Sequence, residues 1–214
     1  DPVIDSIEVD PTTGKVGDTL TCTATASDDD GGSPTITYAW SSGDTGPTYT
    51  IVDSDDPGDA ITCTATATDV DLGTATDTAS ATVENTDPEL DSITVTPSTA
   101  KVGDDLTCLA TASDDDGGSP TITYAWSTGE TGDTYTIVEA DNPGDVITCT
   151  ATATDTELGT GTGTASATVD NTDPTIDSIE VDPTTGKVGD GLTCTATASD
   201  EDGGTPTITY AWSN

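Results

Sequence analysis

The sequence predicts an all-β protein built as a tandem array of small β-sandwiches, and three observations carry that prediction. One stretch, Thr21–Trp40, returns almost unchanged at Thr107–Trp126 and Thr193–Trp212. Cys22, Cys108 and Cys194 are 86 residues apart, as are Trp40, Trp126 and Trp212. Within each copy, small or apolar residues alternate strictly with threonine, the period of a half-buried strand. No segment has a helical period, and turn signals recur about every 8–12 residues, as in a sandwich.

In chain order, Val3–Asp10 reads as a first strand with Ile7 and Val9 on one face. Pro11–Gly14 is a turn, and Lys15–Asp18 leads onward. Thr19–Ser27 turns Leu20, Cys22, Ala24 and Ala26 inward. An acidic turn at Asp28–Pro34 precedes a strand with Ile36, Tyr38 and Trp40 inward. Ser42–Gly46 reverses the chain into a strand carrying Tyr49 and Ile51, and Asp53–Asp59 is a loop. Ala60–Thr68 turns Ile61, Cys63, Ala65 and Ala67 inward. Asp69–Gly73 then turns into a last strand with Ala79, Ala81 and Val83. That is about seven strands per unit. The second copy keeps the inward set, and its changes fall on outward or loop positions such as Ser42 against Thr128. In its last strand Thr160-Gly-Thr-Gly replaces Thr74-Ala-Thr-Asp, which weakens the expected edge.

The expected domains are 1–86, 87–172 and 173–214, the last covering only the first half of a unit. A unit of this length supports a small core that is marginal without a staple; half a unit does not, so the 214 residues read as a window on a longer chain. No apolar run is long enough to span a membrane, and no signal-peptide pattern stands at Asp1. Forty-one acids face three lysines, with no arginine and no histidine. The acids divide as 17, 16 and 8 among the three copies, so the charge belongs to the repeat and is not a tail. Such a surface repels nucleic acid and anionic lipid and attracts cations. Strong acidity with few aromatics also marks disordered chains; the alternation and the Cys–Trp–Cys spacing outweigh that reading.

With Cys22, Trp40 and Cys63 placed, the unit resembles an immunoglobulin-like sandwich, in which cysteines on facing strands pack beside a tryptophan. Ile61 stands where that family usually has a tyrosine. The unit also resembles the PKD-type domains of bacterial surface proteins: Asp28-Asp-Asp-Gly31 as the acidic turn, Tyr38-Ala-Trp40 as the aromatic strand, Gly43-Asp44 as the following turn. Both resemblances imply tandem repeats of extracellular stalks, adhesins and surface arrays. On this reading Cys22 pairs with Cys63 and Cys108 with Cys149 as inter-sheet disulfides, each worth roughly 4 kcal/mol in the chain-entropy model. That places the protein outside the cytosol. Buried free thiols are the alternative. Cys194 has no partner within the window, and its mate is expected beyond Asn214 or on another chain.

The acidic turns are the candidate metal site. Asp28 and Asp30 are matched by Asp114 and Asp116 and by Asp200 and Asp202; Asp69 and Asp71 are matched by Asp155 and Glu157. In a sandwich of this connectivity both loops lie at one pole, which also receives the linkers Glu84-Asn85-Thr-Asp87 and Asp170-Asn171-Thr-Asp173. Calcium takes about six to eight hard oxygen ligands, which carboxylates and an asparagine carbonyl supply. The layout resembles the calcium-stiffened junctions of cadherin-like arrays, without that family's full linker motif. The competing reading is that Asp and Gly simply make good, soluble turns. Metal binding through cysteine is disfavoured without histidine or CxxC spacing.

Lys15, Lys101 and Lys187 are the only cationic side chains. With Asn85 and Asn171 they raise an isopeptide bond as a possibility, although a solvated turn lysine explains them. Outward threonines are good strand formers and potential O-glycan sites, and no Asn-x-Ser/Thr sequon occurs. Without histidine or arginine, only carboxylate-pair or metal chemistry would remain to an enzyme, and acids repeated in every unit point instead to a structural role. The expected function is therefore a non-enzymatic segment of a secreted or cell-surface fibre, stalk or sheath. It would self-associate with like repeats, bind no nucleic acid and insert no segment into a membrane. An adhesin or carbohydrate-binding stalk, with its tip elsewhere, is the alternative.

Overall fold

Threonine has two heavy atoms on Cβ and fits a pleated, half-buried surface, so Thr-Ala-Thr runs extend rather than coil. The computed structural model describes residues 1–213 and bears this out. The first repeat holds seven strands: β1 (Val3–Asp10), β2 (Thr13–Gly14), β3 (Thr19–Ser27), β4 (Thr35–Trp40), β5 (Thr48–Thr50), β6 (Ala60–Thr68) and β7 (Thr74–Val83). They form two sheets, β1-β3-β5 and β2-β7-β6-β4. All pairs are antiparallel except β2 with β7, where Thr13 and Gly14 run parallel to Thr82 and Val83. This is an immunoglobulin-like sandwich, in which strands β3 and β6 face one another across the core.

The second repeat copies it with β8 (Glu89–Thr96), β9 (Thr99–Ala100), β10 (Asp105–Ser113), β11 (Thr121–Trp126), β12 (Thr134–Thr136), β13 (Val146–Thr154) and β14 (Thr160–Val169). Its sheets are β8-β10-β12 and β11-β13-β14-β9. In the last copy only β15 (Thr175–Asp182) and β16 (Thr193–Ser199) form, paired antiparallel.

By contacts the chain divides into two compact units. One comprises Asp1–Leu90 with Ala112–Thr121 and Ala153–Gly161; the other comprises Asp91–Thr111, Ile122–Thr152 and the chain from Thr162 on. The second copy's two acidic loops thus belong to the same unit as the linker at 84–88.

The core of the first unit is small. Leu20, Cys22, Trp40, Ile51, Ile61, Cys63 and Val83 are its buried centre, with Val9, Tyr49 and Ala81. Cys22 is bonded to Cys63, and Cys108 to Cys149, each bridging 41 residues. Alanines Ala65 and Ala67 are fully buried but bring little apolar area. The bridge's roughly 4 kcal/mol is therefore a large share of the stability such a domain can have. Trp40 lies on Tyr49 with ring centroids 5.6 Å apart and donates Nε1–H to the Gly46 carbonyl at 2.9 Å.

Three elements depart from the sequence reading. The turn at Pro11–Gly14 contains β2, whose two residues carry too little pattern to be seen. Ile51, expected on a strand, follows the end of β5 and is nevertheless buried. The glycines of Thr160-Gly-Thr-Gly leave the strand whole: β14 runs from Thr160 through Val169, as β7 does from Thr74 through Val83. Gly161 is required there, because a Cβ would collide with the Pro88 carbonyl.

Tyr49 donates its hydroxyl to Asp55 Oδ2 at 2.7 Å, and Val52 N–H donates to the same oxygen at 3.0 Å. Tyr135 and Val138 grip Asp141 in the same way. Burial first, then the bonded carboxylate, pushes both tyrosines up to about 12. The latch ties the loop after β5 to the core, a task that Ile61 cannot perform. Lys15, Lys101 and Lys187 are exposed, as a turn lysine should be.

Candidate cation site at the acidic pole

Asp-rich turns hold their own shape by bonding side chain to backbone two residues on. At the first repeat, Asp28 Oδ1 accepts from Asp30 N–H at 3.2 Å, and Asp69 Oδ1 accepts from the N–H groups of Asp71 and Gly73 at 2.9 and 2.8 Å. The carboxylates left over converge. The α-ammonium of Asp1 stands 3.9 Å from Asp28 Oδ1, 3.7 Å from Asp30 Oδ2 and 4.0 Å from Asp69 Oδ2. The Asp28 and Asp69 side chains are only 5% and 10% exposed. Three acids from two loops thus face the backbone nitrogen of Asp1. Asp71 is exposed and stands apart.

In the second repeat the linker takes the place of that ammonium. Asn85 Nδ2 donates to Asp155 Oδ2 at 3.0 Å, and Thr86 N–H donates to Asp116 Oδ2. Asp116 N–H in turn donates to Asp114 Oδ1 at 3.2 Å. Asp116, only 8% exposed, leaves its Oδ1 without a hydrogen bond in the protein, as do Asn85 Oδ1 and Thr86 Oγ1. A Cβ added at Gly159 would lie within 3.0 Å of Asp155 Oδ2, Asp87 Oδ1 and Asn85 Nδ2, so those three atoms crowd one point. A cavity of about 30 Å³ opens between Asp114 and Asp155. Burial, and then repulsion from Asp116, Asp155 and Glu157, pushes the Asp114 carboxyl up, partly offset by the Asp116 N–H.

The last copy repeats the half that it possesses. Thr172 N–H donates to Asp202 Oδ2, Asp202 N–H donates to Asp200 Oδ1 at 3.2 Å, and Thr172 Oγ1 and Asp202 Oδ1 have no partner in the protein. Asn171 Nδ2 donates to the Thr172 carbonyl at 3.0 Å, and Asp173 is exposed.

The structure therefore brings together Asn85, Asp87, Asp114, Asp116 and Asp155 from the expected set. It leaves out Glu84 and Asp170, which are exposed and whose N–H groups complete the pairing with Gly14 and Ala100. Glu157 is exposed and accepts from the Thr156 hydroxyl at 2.6 Å. Among the described residues, no three carboxylates or thiols already stand in a metal-binding group. The Asn85 amide occupies Asp155 Oδ2, and the Thr86 N–H occupies Asp116 Oδ2. Thr86 and Thr172 were not singled out by sequence reasoning, although each sits in a repeated Asn-Thr-Asp.

The donor set is all oxygen: four carboxylates, one amide carbonyl and one hydroxyl. Both cysteines of each complete repeat are consumed in disulfides, and the chain has no histidine. Such a set suits a hard cation and is unsuited to zinc or copper.

No protein-family model matches the chain, and no curated protein matches it. Solved structures similar to it are tandem immunoglobulin-domain proteins. The insect immune protein hemolin is 14% identical, covering 79% of this chain and 46% of its own, with a TM-score of 0.43. A chimeric titin Z1Z2-Z1Z2 tandem is 17% identical, covering 79% and 100%, at 0.32. Three N-terminal domains of the bacteriophage RB49 outer capsid protein Hoc are 18% identical, covering 98% and 73%, also at 0.32.

Proposed function

We propose that this chain is a structural segment of an extracellular or cell-surface stalk, fibre or sheath, of the kind its resemblance to bacterial Ig-like and PKD-like arrays implies. The observation that carries the reading is how each sandwich would meet tension. β2 near the start of a repeat runs parallel to the end of β7, bonded through Thr82 N–H to the Thr12 carbonyl at 3.0 Å and Glu84 N–H to the Gly14 carbonyl at 2.8 Å. Tension enters β2 from its N-terminal side and leaves β7 from its C-terminal side. The bonds between them are then sheared together instead of being unzipped singly. Behind them the Cys22–Cys63 bridge withholds 41 residues from extension. The second repeat has the same arrangement, with Thr168 N–H on the Ser98 carbonyl at 3.0 Å and Asp170 N–H on Ala100 at 2.7 Å.

Disulfides persist in oxidising compartments, which supports a location outside the cytosol. Among the described residues no helix is long and apolar enough to cross a membrane. Catalysis is not part of this reading, because the acids recur in every copy and no histidine accompanies them. Self-association with like repeats fits an array whose outward faces are nearly identical from copy to copy, and outward threonines would carry any glycans.

Stretching single molecules of the whole chain tests the reading. Each complete repeat is expected to yield abruptly, with the bridge intact, by at most the length of its residues outside the bridged span, about 160 Å at about 3.5 Å per residue, less the length the folded repeat already spans. Reduction should lengthen each step by about 140 Å, the span that the bridge had withheld. Gradual yielding at forces near the baseline would overturn it.

A further inference from the structure

We propose that the linker and acidic loops of the first compact unit form a site for one divalent cation of calcium's size and hardness. Its ligands are oxygens of Asn85, Thr86, Asp87, Asp114, Asp116 and Asp155. The inference rests on the stalk reading only for its purpose, the stiffening of a junction; the site itself stands on the atoms.

Three observations converge on it. Asp116 is more than nine-tenths buried and keeps one carboxylate oxygen unpartnered, although a buried charge ordinarily takes every bond within reach. Asn85 and Thr86 are half-buried, but the atoms Asn85 Oδ1 and Thr86 Oγ1 are themselves buried and unpartnered, and both residues belong to the linker beside these loops. Asp155 Oδ2, Asp87 Oδ1 and Asn85 Nδ2 crowd a single point beside Gly159, the residue that leaves room for them.

The metal-free arrangement shows what a cation would displace. The Asn85 amide now turns its Nδ2 to Asp155, supplying partial positive charge between two carboxylates. A half-turn of that amide presents Oδ1 instead, and O and N of an amide exchange places at little steric cost. Four carboxylates and two neutral oxygens give the six or so donors that calcium accepts in irregular geometry. Magnesium demands a tighter octahedron and retains its waters. Asp87 is exposed, but acidic turns that served only solubility would also leave the Asp116 carboxylate facing water, as Asp71 and Asp115 do.

The test is calorimetric titration of the whole 214-residue chain with calcium chloride at physiological salt, beside magnesium chloride and the variants Asp116→Asn and Asp115→Asn. Asp115 is exposed and changes the net charge equally, so it controls for the polyanion. The expected result is saturable calcium uptake with a dissociation constant of roughly 10⁻⁴–10⁻³ M. One equivalent should be lost in Asp116→Asn and kept in Asp115→Asn. In the unmutated chain, amide spectra should show the largest calcium shifts at Thr86, Gly159 and the Asn85 side chain, which decides the matter even if Asp116→Asn does not fold. Unsaturable uptake, equal uptake by both variants, or shifts spread evenly over the acidic surface would overturn the site. None of these results bears on the force measurement, so the stalk reading stands or falls separately.

Discussion

Thr35–Trp40 and Thr207–Trp212 have the same six residues, Thr-Ile-Thr-Tyr-Ala-Trp, and different structures. The first is strand β4, with Trp40 4% exposed; the second has no strand assignment, and Trp212 is 60% exposed. The difference lies in the partner. β4 pairs along its whole length with β6, from Thr35 against Thr68 to Trp40 against Cys63. Among the described residues no strand pairs with Thr207–Trp212. Strand β2 depends on β7 in the same way, and no strand forms at its counterpart in the last copy. β15 and β16 do form, with the register and bulge of β1 and β3, yet Leu192 is 46% exposed where Leu20 is fully buried. One sheet of the sandwich assembles from its own hairpin-range contacts. The other is created by residues that arrive later in the chain.

The strongest way to break this contrast is to supply the partner. Appending the sequence of Gly43–Thr86 after Asn214 should bury Trp212, shift its emission to the blue, and bring Cys194 into a disulfide. A thiol assay would then fall from one free cysteine per chain to none. If Cys194 stays free and Trp212 stays wet, pairing with a β6 equivalent is not what completes the repeat.

A second test takes the complete repeat towards the incomplete one. Replacing Cys22 and Cys63 together by alanine should cost the first repeat about 4 kcal/mol in chemical denaturation. The second repeat, with Cys108–Cys149 intact, should keep its own transition. Equal losses in both would show that the two repeats unfold as one.

A smaller effect sharpens the comparison inside a complete repeat. The Tyr49–Asp55 and Tyr135–Asp141 latches each tie a loop to the core of a complete repeat. Because folding raises these tyrosines from 10.0 to about 12, they favour the folded state below pH 10 and lose that contribution as pH rises through about 12. Tyrosinate absorbance should therefore include a component from two tyrosines appearing only near pH 12, together with loss of the near-ultraviolet signal of Trp40 and Trp126. Asp55→Asn and Asp141→Asn should move that component to lower pH.

Much of this architecture was legible beforehand. β3, β4 and β6 begin and end where strict alternation begins and ends, because period two is imposed by burial of a single face. β2 was not legible, since two residues have no period and the pairing comes from β7, about 70 positions away. The glycines of Thr160-Gly-Thr-Gly looked like weakness, and Gly161 proved to be clearance for the Pro88 carbonyl, a contact that no local pattern encodes. At the acidic pole, carboxylate spacing marked the loops and the Asn-Thr-Asp linker but overstated the cluster. Glu84 and Asp170 point away because their backbone is committed to the sheet edge. Thr86 was passed over because a hydroxyl among carboxylates carries no charge to notice.

The three copies of Thr-Ile-Thr-Tyr-Ala-Trp have one further consequence. Each fits β6, and each fits β13 equally well, so nothing in the strand itself says which partner is its own. Correct assembly must rely on proximity along the chain and on early repeats closing before later ones emerge. A chain refolded all at once from denaturant has no such order, and strand exchange between copies, or between molecules, becomes the characteristic way for this protein to misassemble. Sequence uniformity thus gives ordered, vectorial synthesis an advantage over refolding all at once.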